Sequence, residues 1–365
     1  MSVDRTLFGR LRDGAPVEAI CLTAGPLSAT ILTYGATLQA LHAPDRDGRI
    51  EDITLGHDTL DPYVDQANFF GVTVGRYANR IGGGAFRLDG IRYALDRNEG
   101  AQCLHGGYRG FDTQLWSIVE IEDGERPAVV LACSSADGHG GFPGRLDVRV
   151  RYMLDGGSGT LLIDFTAATT APTVVNLTNH AVFNLAGADS AETIQAHTLA
   201  IHASRYTPVN ADMVPTGEIR SVDGSVLDFR APRALIDDAD VLTRFRDGHA
   251  QLALTNGYNH NFVLDRGRGA IAAVAARLEH AASGRVLEVL TTEPGLQLYC
   301  SNHLDGDLVG KHGRRYHRAQ GVALEPQAFP DSPNQPHFPS TRIDPGVPYR
   351  HTMAYRLPPC RKASL

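Results

Sequence analysis

A histidine and a glutamate, far apart in the chain, have the surroundings best suited to proton transfer. His180 lies in segment 173–185, which reads TVVNLTNHAVFNL. If this segment is one strand, alternation places asparagine, threonine and histidine side chains on one face. That face lines either solvent or a polar groove, and in a groove His180 is within reach of a ligand. From this strand alone, a histidine with purely structural hydrogen bonds is the alternative.

Glu325 is a lone carboxylate at the end of an apolar strand predicted over residues 321–325. Partial burial raises the pKa of a carboxyl group unless hydrogen bonds hold it ionised. Glu325 is therefore a candidate general base. The alternative is a solvated carboxylate at the end of a strand.

Two glycine-flanked segments carry further polar side chains. Asn79 and Arg80 precede the glycine run 82–84, and His105 precedes two more glycines. Neighbouring residues of a straight strand point to opposite faces, so Asn79 and Arg80 can serve one pocket only across a bend or loop. Glycine permits such a break. For Arg80 the alternative is a surface or salt-bridged residue, whereas the glycines beside His105 indicate a loop at the rim of a pocket.

Motifs for phosphate and metal binding are incomplete. The stretch 306–312, GDLVGKH, is one residue short of a P-loop and ends in His312, where the motif needs serine or threonine. The 15 histidines include no H-E-x-x-H pattern and no close helical pair. We therefore expect neither a metal ion nor a cofactor.

Composition narrows the class of protein. The chain has 365 residues and a net charge of −7, which gives no basic footprint for nucleic acid. No apolar run approaches the roughly 18 residues of a membrane span. The N-terminus lacks the pattern of a signal peptide, and five scattered cysteines form no C-x-x-C pair. We expect a cytoplasmic protein with reduced thiols and neither a nucleic-acid nor a membrane partner.

Short segments with period-two alternation indicate a β-rich chain. Residues 145–152 alternate apolar and charged side chains, and 161–167 repeat the pattern after a glycine-rich turn, which predicts a hairpin. Many strands and few helices predict sheets packed face to face. Further strands are predicted at 17–23, 29–34, 37–42, 116–121, 128–132, 173–185, 286–292 and 321–325.

Two segments fit the strand pattern less well. Residues 233–246 are predicted to be helical, whereas the alanine-rich stretch 270–282 is predicted as a strand because Ser283 and Gly284 resemble a hairpin turn. No linker, composition shift or internal repeat divides the chain. We therefore predict a single domain, 1–365.

Six sequence blocks, taken together and in order, resemble the aldose 1-epimerase (galactose mutarotase) family over nearly the whole chain. The resemblance implies an all-β fold: a large antiparallel β-sandwich, the galactose mutarotase-like supersandwich, with an open sugar-binding cleft and few short helices. The blocks are GRYANRIGGGAFRLDG (75–90), LHGGYRGFD (104–112), NLTNHAVFNLAG (176–187), GYNHNFVL (257–264), TTEPGLQLY (291–299) and LEPQAFPDSPNQPHFP (324–339).

The resemblance also implies roles for individual residues. By position in these blocks, His180 corresponds to the general acid and Glu325 to the general base. One position departs from the family pattern: many members have aspartate where this chain has Asn259. An amide can both accept and donate a hydrogen bond but carries no charge. Proline at 326, where threonine is common, is a smaller departure. Sugar-binding roles fall on Asn79, Arg80, His105, Asn259 and Gln297.

The implied activity is interconversion of the α and β anomers of a free aldose such as glucose or galactose, by a monomer or homodimer. An epimerase of a pentose or hexose 6-phosphate is one alternative; a phosphate would need a basic cluster, from Arg109 and residues 311–318. A non-catalytic sugar-binding protein is another. A glycoside hydrolase would need a second carboxylate, for which Glu293 is the weaker candidate.

Overall fold

The structure is a computed structural model that describes residues 1–65, 68–236, 250–266, 269 and 273–360. Within these ranges the chain forms 30 short to medium strands, two five-residue α-helices and six 3-10 helices. The α-helices are α1 (Asp61–Asp65) and α2 (Ala250–Leu254). The 3-10 helices span Gly82–Gly84, Phe111–Thr113, His139–Gly141, Ile194–Ala196, Lys311–Gly313 and Ser332–Asn334.

The strands are numbered in chain order. They are β1 (Ser2–Arg10), β2 (Pro16–Ala24), β3 (Leu27–Leu32), β4 (Thr37–Pro44), β5 (Ile50–Asp52), β6 (Thr73–Val74), β7 (Arg80–Ile81), β8 (Ala85–Leu88), β9 (Ile91–Ala94), β10 (Cys103–Leu104), β11 (Ser117–Glu122), β12 (Ala128–Ser135), β13 (Leu146–Asp155), β14 (Thr160–Thr169), β15 (Thr173–Val174), β16 (Thr178–Asn179), β17 (Val182–Phe183), β18 (His197–Ile201), β19 (Arg205–Thr207), β20 (Arg220–Ser221), β21 (Arg233–Ala234), β22 (Asn259–Val263), β23 (Val274–His280), β24 (Val286–Thr291), β25 (Gly295–Tyr299), β26 (Asp305–Val309), β27 (Arg315–His317), β28 (Val322–Gln327), β29 (Arg342–Ile343) and β30 (Tyr349–Arg356).

Three larger sheets organise these strands. One is a meander in the order β1-β2-β3-β4-β5, and another runs β11-β12-β13-β14-β30-β24-β23-β18-β21. The third, which carries much of the candidate site, runs β17-β28-β25-β22-β19-β20. The remaining strands pair in twos: β6 with β16, β7 with β10, β8 with β9, β15 with β29 and β26 with β27.

The core lies between these sheets. Val150 of β13 and Phe165 of β14 share one apolar cluster with Ile20 of β2 and Leu296 of β25. Their strand neighbours Arg149 and the other charged residues of β13 point away, as alternation requires. The predicted hairpin, the all-β class and the antiparallel sandwich are therefore confirmed.

The predicted single strand over 173–185 is wrong. The segment forms three two-residue strands, β15, β16 and β17, which pair with β29, β6 and β28. Asparagine side chains between them bond backbone groups in place of a ladder: Asn176 Nδ2 donates to the carbonyls of Ala78 and Ala328, and Asn179 Nδ2 donates to Gly71. Both faces of the segment are buried between sheets, so alternation there does not mark a solvent side.

Two other predictions have clear outcomes. The helix predicted from residue 233 is wrong at its start, where Arg233 and Ala234 form β21 and pair with β18, while residues 237–249 lie outside the described residues. The strand predicted within 270–282 is confirmed as β23, which joins β24 across Ser283 and Gly284; residues 270–272 are not described. Among the helices of the described ranges, none is long and apolar enough to cross a membrane.

Candidate active site

Strand β28 carries Glu325 to the floor of a cavity of about 490 Å³. Leu324 packs in the apolar core, so alternation along the strand turns the next side chain to the opposite face of the sheet. The cavity volume lies within the usual range for small-molecule sites. Its lining includes six of the seven predicted site residues: Asn79, Arg80, His105, His180, Asn259 and Glu325.

Glu325 and His180 meet at the base of this cavity. Nε2 of His180 lies 3.6 Å from Oε1 of Glu325, and the two residues are 6% and 2% exposed. Burial raises the pKa of Glu325 above its ordinary value, and the charges of His180 and Arg80 oppose that rise. Oε2 of Glu325 and Nδ1 of His180 have no hydrogen-bond partner within the described part of the chain. The pair is close enough to act on two neighbouring atoms of one ligand.

His180 is held by its backbone and by neighbouring rings. It lies between β16 and β17. Its backbone N–H donates to the Val72 carbonyl, and its backbone carbonyl accepts from the N–H of Gly71. The imidazole packs against Phe69, His105 and Tyr299, with ring centroids 5.5 to 6.1 Å apart. Phe69 and Tyr299 are not predictable as site residues, because single aromatic residues resemble core residues in sequence.

Asn79 and Arg80 reach the same cavity because the backbone bends between them. Asn79 has a φ of 63°, in the left-handed region that asparagine adopts more readily than most residues. Its Oδ1 accepts the N–H of Arg80 at 2.9 Å, which fixes the turn. The predicted break of the strand is present, although it falls at Asn79 itself and not only at the glycine run that follows.

Arg80 forms a bidentate ion pair with Glu99, which the sequence analysis missed. Nε lies 2.5 Å from Oε2 and Nη2 lies 2.6 Å from Oε1. This geometry fixes the plane of the guanidinium group and offsets its charge. Glu99 lines the cavity from the loop before β10. The sequence feature that could have indicated a role for it is a carboxylate between Asn98 and Gly100.

His105 contributes a neutral imidazole to the cavity. Its Nδ1 accepts the backbone N–H of Asn79 at 3.1 Å. Burial, together with the charges of His180 and Arg80, holds the pKa of His105 well below its usual range. The ring proton therefore sits on Nε2, and His105 is a hydrogen-bond donor there.

Asn259 and Gln297 form a side-chain pair at one side of the cavity. Nε2 of Gln297 donates to Oδ1 of Asn259 at 2.6 Å. Asn259 lines the main cavity, whereas Gln297 is buried behind it, beside a separate cavity of about 10 Å³. The site residue Gln297 is thus next to the site but does not line it.

The basic residues considered for phosphate binding do not line the cavity. Lys311 is buried, with Nζ bonded to Asp52 and to the Thr54 carbonyl. Arg315 and Arg318 bond the Gly306 carbonyl and Asn256. Among the described lining residues, Arg80 is the single arginine or lysine, whereas Glu99, Asp305, Asp307 and Glu325 are all acidic.

Glu293, the second carboxylate considered for glycoside hydrolysis, also lies outside the cavity. It is 2% exposed and accepts a hydrogen bond from the hydroxyl of Tyr349 at 3.3 Å. Over the ranges that the structure describes, no group of three or more histidine, cysteine, aspartate or glutamate side chains could hold a metal ion.

Comparison with known proteins identifies the family. A family profile described as aldose 1-epimerase matches residues 18–356. The chain is 43% identical to galactose mutarotase from Bos taurus, with 98% of this chain and 99% of that protein covered. It is 36% identical to aldose 1-epimerase from Escherichia coli strain K12, with coverage of 94% and 96%. The chain belongs to the aldose 1-epimerase family.

Solved structures agree with this assignment. The galactose 1-epimerase from Lactobacillus acidophilus superposes with a TM-score of 0.83 at 27% identity, covering 98% of each chain. An aldose epimerase homologue from C. elegans superposes with a TM-score of 0.81 at 31% identity, covering 93% of this chain and 98% of the other. The fold implied by the sequence resemblance is confirmed.

Proposed function

We propose that this protein is a mutarotase that interconverts the α and β anomers of a free aldose such as glucose or galactose. The observation that carries the proposal is the contact between a buried carboxylate, Glu325, and a buried imidazole, His180, at the floor of a cavity of small-molecule size. Membership of the aldose 1-epimerase family supports the same activity.

Anomer exchange requires one proton to leave and another to arrive at neighbouring oxygens. Glu325 as carboxylate takes the proton from the C1 hydroxyl while His180 as imidazolium gives one to the ring oxygen, and the bond from C1 to that oxygen breaks. Rotation about C1–C2 in the open-chain aldehyde presents the other face of the carbonyl. Reclosure returns both protons by the reverse steps.

The raised pKa of Glu325 suits this role, because it makes the carboxylate a stronger base than an ordinary glutamate. Nε2 of His180 and Oε1 of Glu325 are 3.6 Å apart. This spacing matches a substrate in which the C1 hydroxyl and the ring oxygen are bonded to the same carbon. Asn79, Arg80, His105 and Asn259 would hold the other hydroxyls, with Gln297 orienting Asn259 from behind.

The charge of the cavity favours an uncharged sugar over a sugar phosphate. Arg80 is already neutralised by Glu99, and two further carboxylates, Asp305 and Asp307, lie in the lining. An added phosphate would meet net negative charge at this wall. The hexose phosphate hypothesis therefore has less support than a neutral aldose.

A sugar-binding protein without activity and a glycoside hydrolase also have less support. The first has no need of a buried base whose pKa is raised beside a histidine. A hydrolase of the two-carboxylate type would need an acid opposite Glu325. Glu293 is elsewhere, Glu99 is committed to Arg80, and Asp305 and Asp307, which also line the cavity, are exposed on β26.

The activity is tested by polarimetry on freshly dissolved α-D-glucose and α-D-galactose. We expect the protein to accelerate the approach to anomeric equilibrium, and Glu325→Gln and His180→Gln to lower kcat by about 10²- to 10⁴-fold each. Glu293→Gln is the matched control, because it changes a buried carboxylate outside the cavity and should keep the rate. Circular dichroism verifies that each variant is folded. Near-normal catalysis by a folded Glu325 or His180 variant removes that residue from its role.

The proposal includes a cytoplasmic location and a monomer or homodimer. The scattered cysteines, without a C-x-x-C pair, support a reducing compartment. Sedimentation equilibrium over a range of protein concentrations tests the oligomeric state.

A further inference from the structure

The amide of Asn259 has a defined direction. Its Oδ1 accepts the hydrogen bond from Nε2 of Gln297 at 2.6 Å. Its Nδ2 has no hydrogen-bond partner among the residues that the structure describes. This atom is not among the buried polar atoms that lack a partner, so it remains accessible to a ligand. Because Asn259 lines the main cavity, the group that remains for a ligand is an N–H donor.

Gln297 is buried within the third sheet, with one further polar atom to satisfy. It is 3% exposed on β25, where its cross-strand neighbours are Asn261 on β22 and Glu325 on β28. Oε1 of Gln297 and Oδ1 of Asn261 are buried acceptors, and both residues line the cavity of about 10 Å³. That cavity is at the lower limit for one water, whose two O–H groups would satisfy both acceptors.

The order of strands indicates which hydroxyl Asn259 meets. In the third sheet β28 lies between β17 and β25, and β22 lies beyond β25. His180 lies two residues before β17, so His180 and Asn259 flank Glu325 from opposite sides. In a pyranose, C1 is bonded to the ring oxygen on one side and to C2 on the other. With the ring oxygen at His180 and the C1 hydroxyl at Glu325, the C2 hydroxyl lies toward Asn259.

We infer that Asn259 selects the substrate at C2 by donating a hydrogen bond. The site therefore binds a sugar whose C2 substituent can accept a hydrogen bond and disfavours one whose C2 substituent can only donate. This inference rests on the proposed function. An aspartate at the same position would have the opposite preference, since a carboxylate accepts from Gln297 with one oxygen and from the substrate with the other.

Two glucose analogues separate donor from acceptor at C2. Fluorine in 2-deoxy-2-fluoroglucose can only accept, whereas the ammonium form of 2-amino-2-deoxyglucose can only donate. For each analogue, kcat/KM is divided by the kcat/KM of unmodified glucose. We expect the wild-type protein to have a higher relative kcat/KM for the fluoro sugar than for the ammonium sugar. Polarimetry below the pKa of the amine, with the spontaneous rate subtracted, gives this ratio.

Variants reverse the direction of the amide. Asn259→Asp should lower the fluoro-to-ammonium ratio by roughly tenfold or more, because the carboxylate accepts from the ammonium group. Gln297→Glu should lower the ratio with residue 259 unchanged, since a carboxylate there accepts from Nδ2 and turns Oδ1 toward the ligand. Comparing the ratio of a variant with that of wild type cancels the intrinsic reactivity of each sugar. Asn256→Asp, an exposed position outside the cavity, is the control and should leave the ratio unchanged.

Two results overturn the inference. One is a ratio that is the same in wild type and in folded Gln297→Glu, which means that Oδ1 already faces the ligand in the wild-type protein. The other is a ratio that is the same in wild type and in folded Asn259→Asp. Unmodified glucose and galactose separate these results from failure of the proposed function, because in that case neither hexose is turned over. Variants at two different positions keep the inference testable even if one of them does not fold.

Discussion

At the scale of the residue, the candidate base shows a conflict between activity and stability. Glu325 must be ionised to accept a proton, yet it is almost fully buried and its Oε2 has no partner in the described structure. An ionised carboxylate in such a place is less favourable than one in water. Its raised pKa thus helps catalysis and weakens the folded state at neutral pH.

Replacing Glu325 with glutamine should therefore stabilise the fold while it removes activity. A group whose pKa is higher in the folded state than in the unfolded state favours folding below its unfolded pKa, and this contribution is lost as pH rises through the folded pKa. At pH 7, where the proposed mechanism requires Glu325 to be ionised, the wild-type protein carries this penalty, whereas glutamine carries none. Urea denaturation at pH 7 should give a higher free energy of unfolding for Glu325→Gln.

The pH dependence provides the control for this prediction. Near pH 4 and below, wild-type Glu325 is protonated and resembles glutamine, so the difference in unfolding free energy should shrink there. A variant that is less stable than wild type at pH 7 contradicts the argument. A gain that is the same at both pH values shows that its cause is not ionisation.

Glu99 offers a second prediction at this scale. Glu99→Gln should leave Arg80 with weaker orientation, because a neutral amide cannot replace the bidentate ion pair. We expect KM for glucose to rise about tenfold with a smaller change in kcat, since Glu99 positions a binding group and transfers no proton. Steady-state polarimetry gives both constants. A fall in kcat with KM unchanged would place Glu99 in the chemical step.

At the scale of the element, alternation in the sequence predicts strands well where one face meets the core. The strand from 321 to 325 was predicted from its apolar run, and β28 places Glu325 on the face opposite Leu324. Segment 173–185 has a similar alternation but breaks into three strands, because its asparagine side chains compete for backbone groups and both of its faces are buried. Composition does not reveal how many sheets a segment contacts.

The cavity wall built from β26 is fixed by a buried ion pair beside it. Nζ of Lys311 lies 2.5 Å from Oδ2 of Asp52 and 2.9 Å from the Thr54 carbonyl. Lys311 lies two residues after β26, at the start of the 3-10 helix Lys311–Gly313, so it ties this wall, which includes Leu308, to the first sheet. Lys311 is among the candidates for phosphate binding in the sequence, because a lysine in a basic run gives no sign of burial.

Removing one partner of this pair should be more harmful than replacing both. Lys311→Met leaves Asp52 buried without its cation and should lower the free energy of unfolding by about 3–5 kcal/mol. The double variant Lys311→Met with Asp52→Asn should recover part of that loss. Urea denaturation of the single and double variants measures both values. A single variant as stable as wild type would show that the pair contributes nothing.

At the scale of the whole molecule, one apolar cluster connects the beginning of the chain to its end. It contains Ile20 of β2, Phe165 of β14, Leu296 of β25 and Leu357 beyond β30. The site residues likewise come from positions 79 to 325, so the cavity needs most of the chain. Sequence blocks identified these residues individually. Their distances, the Arg80–Glu99 pair and the direction of Asn259 depend on contacts between remote segments, which spacing along the chain does not reveal.

The shared core predicts that the chain unfolds as one cooperative unit, as expected of a single domain. Scanning calorimetry should show one transition whose calorimetric and van't Hoff enthalpies agree. Loss of catalytic activity on heating should coincide with that transition. Two resolved peaks, or a van't Hoff enthalpy far below the calorimetric one, would indicate two domains.

The position of β30 has a consequence for biosynthesis. This strand, the last in the described chain, lies inside the nine-stranded sheet, between β14 and β24. While the ribosome is still making it, β14 and β24 have no partner on that side, and their open edges can pair with other nascent chains. Such long-range closure is slow. Chaperone binding during translation should therefore be strongest just before β30 emerges from the exit tunnel.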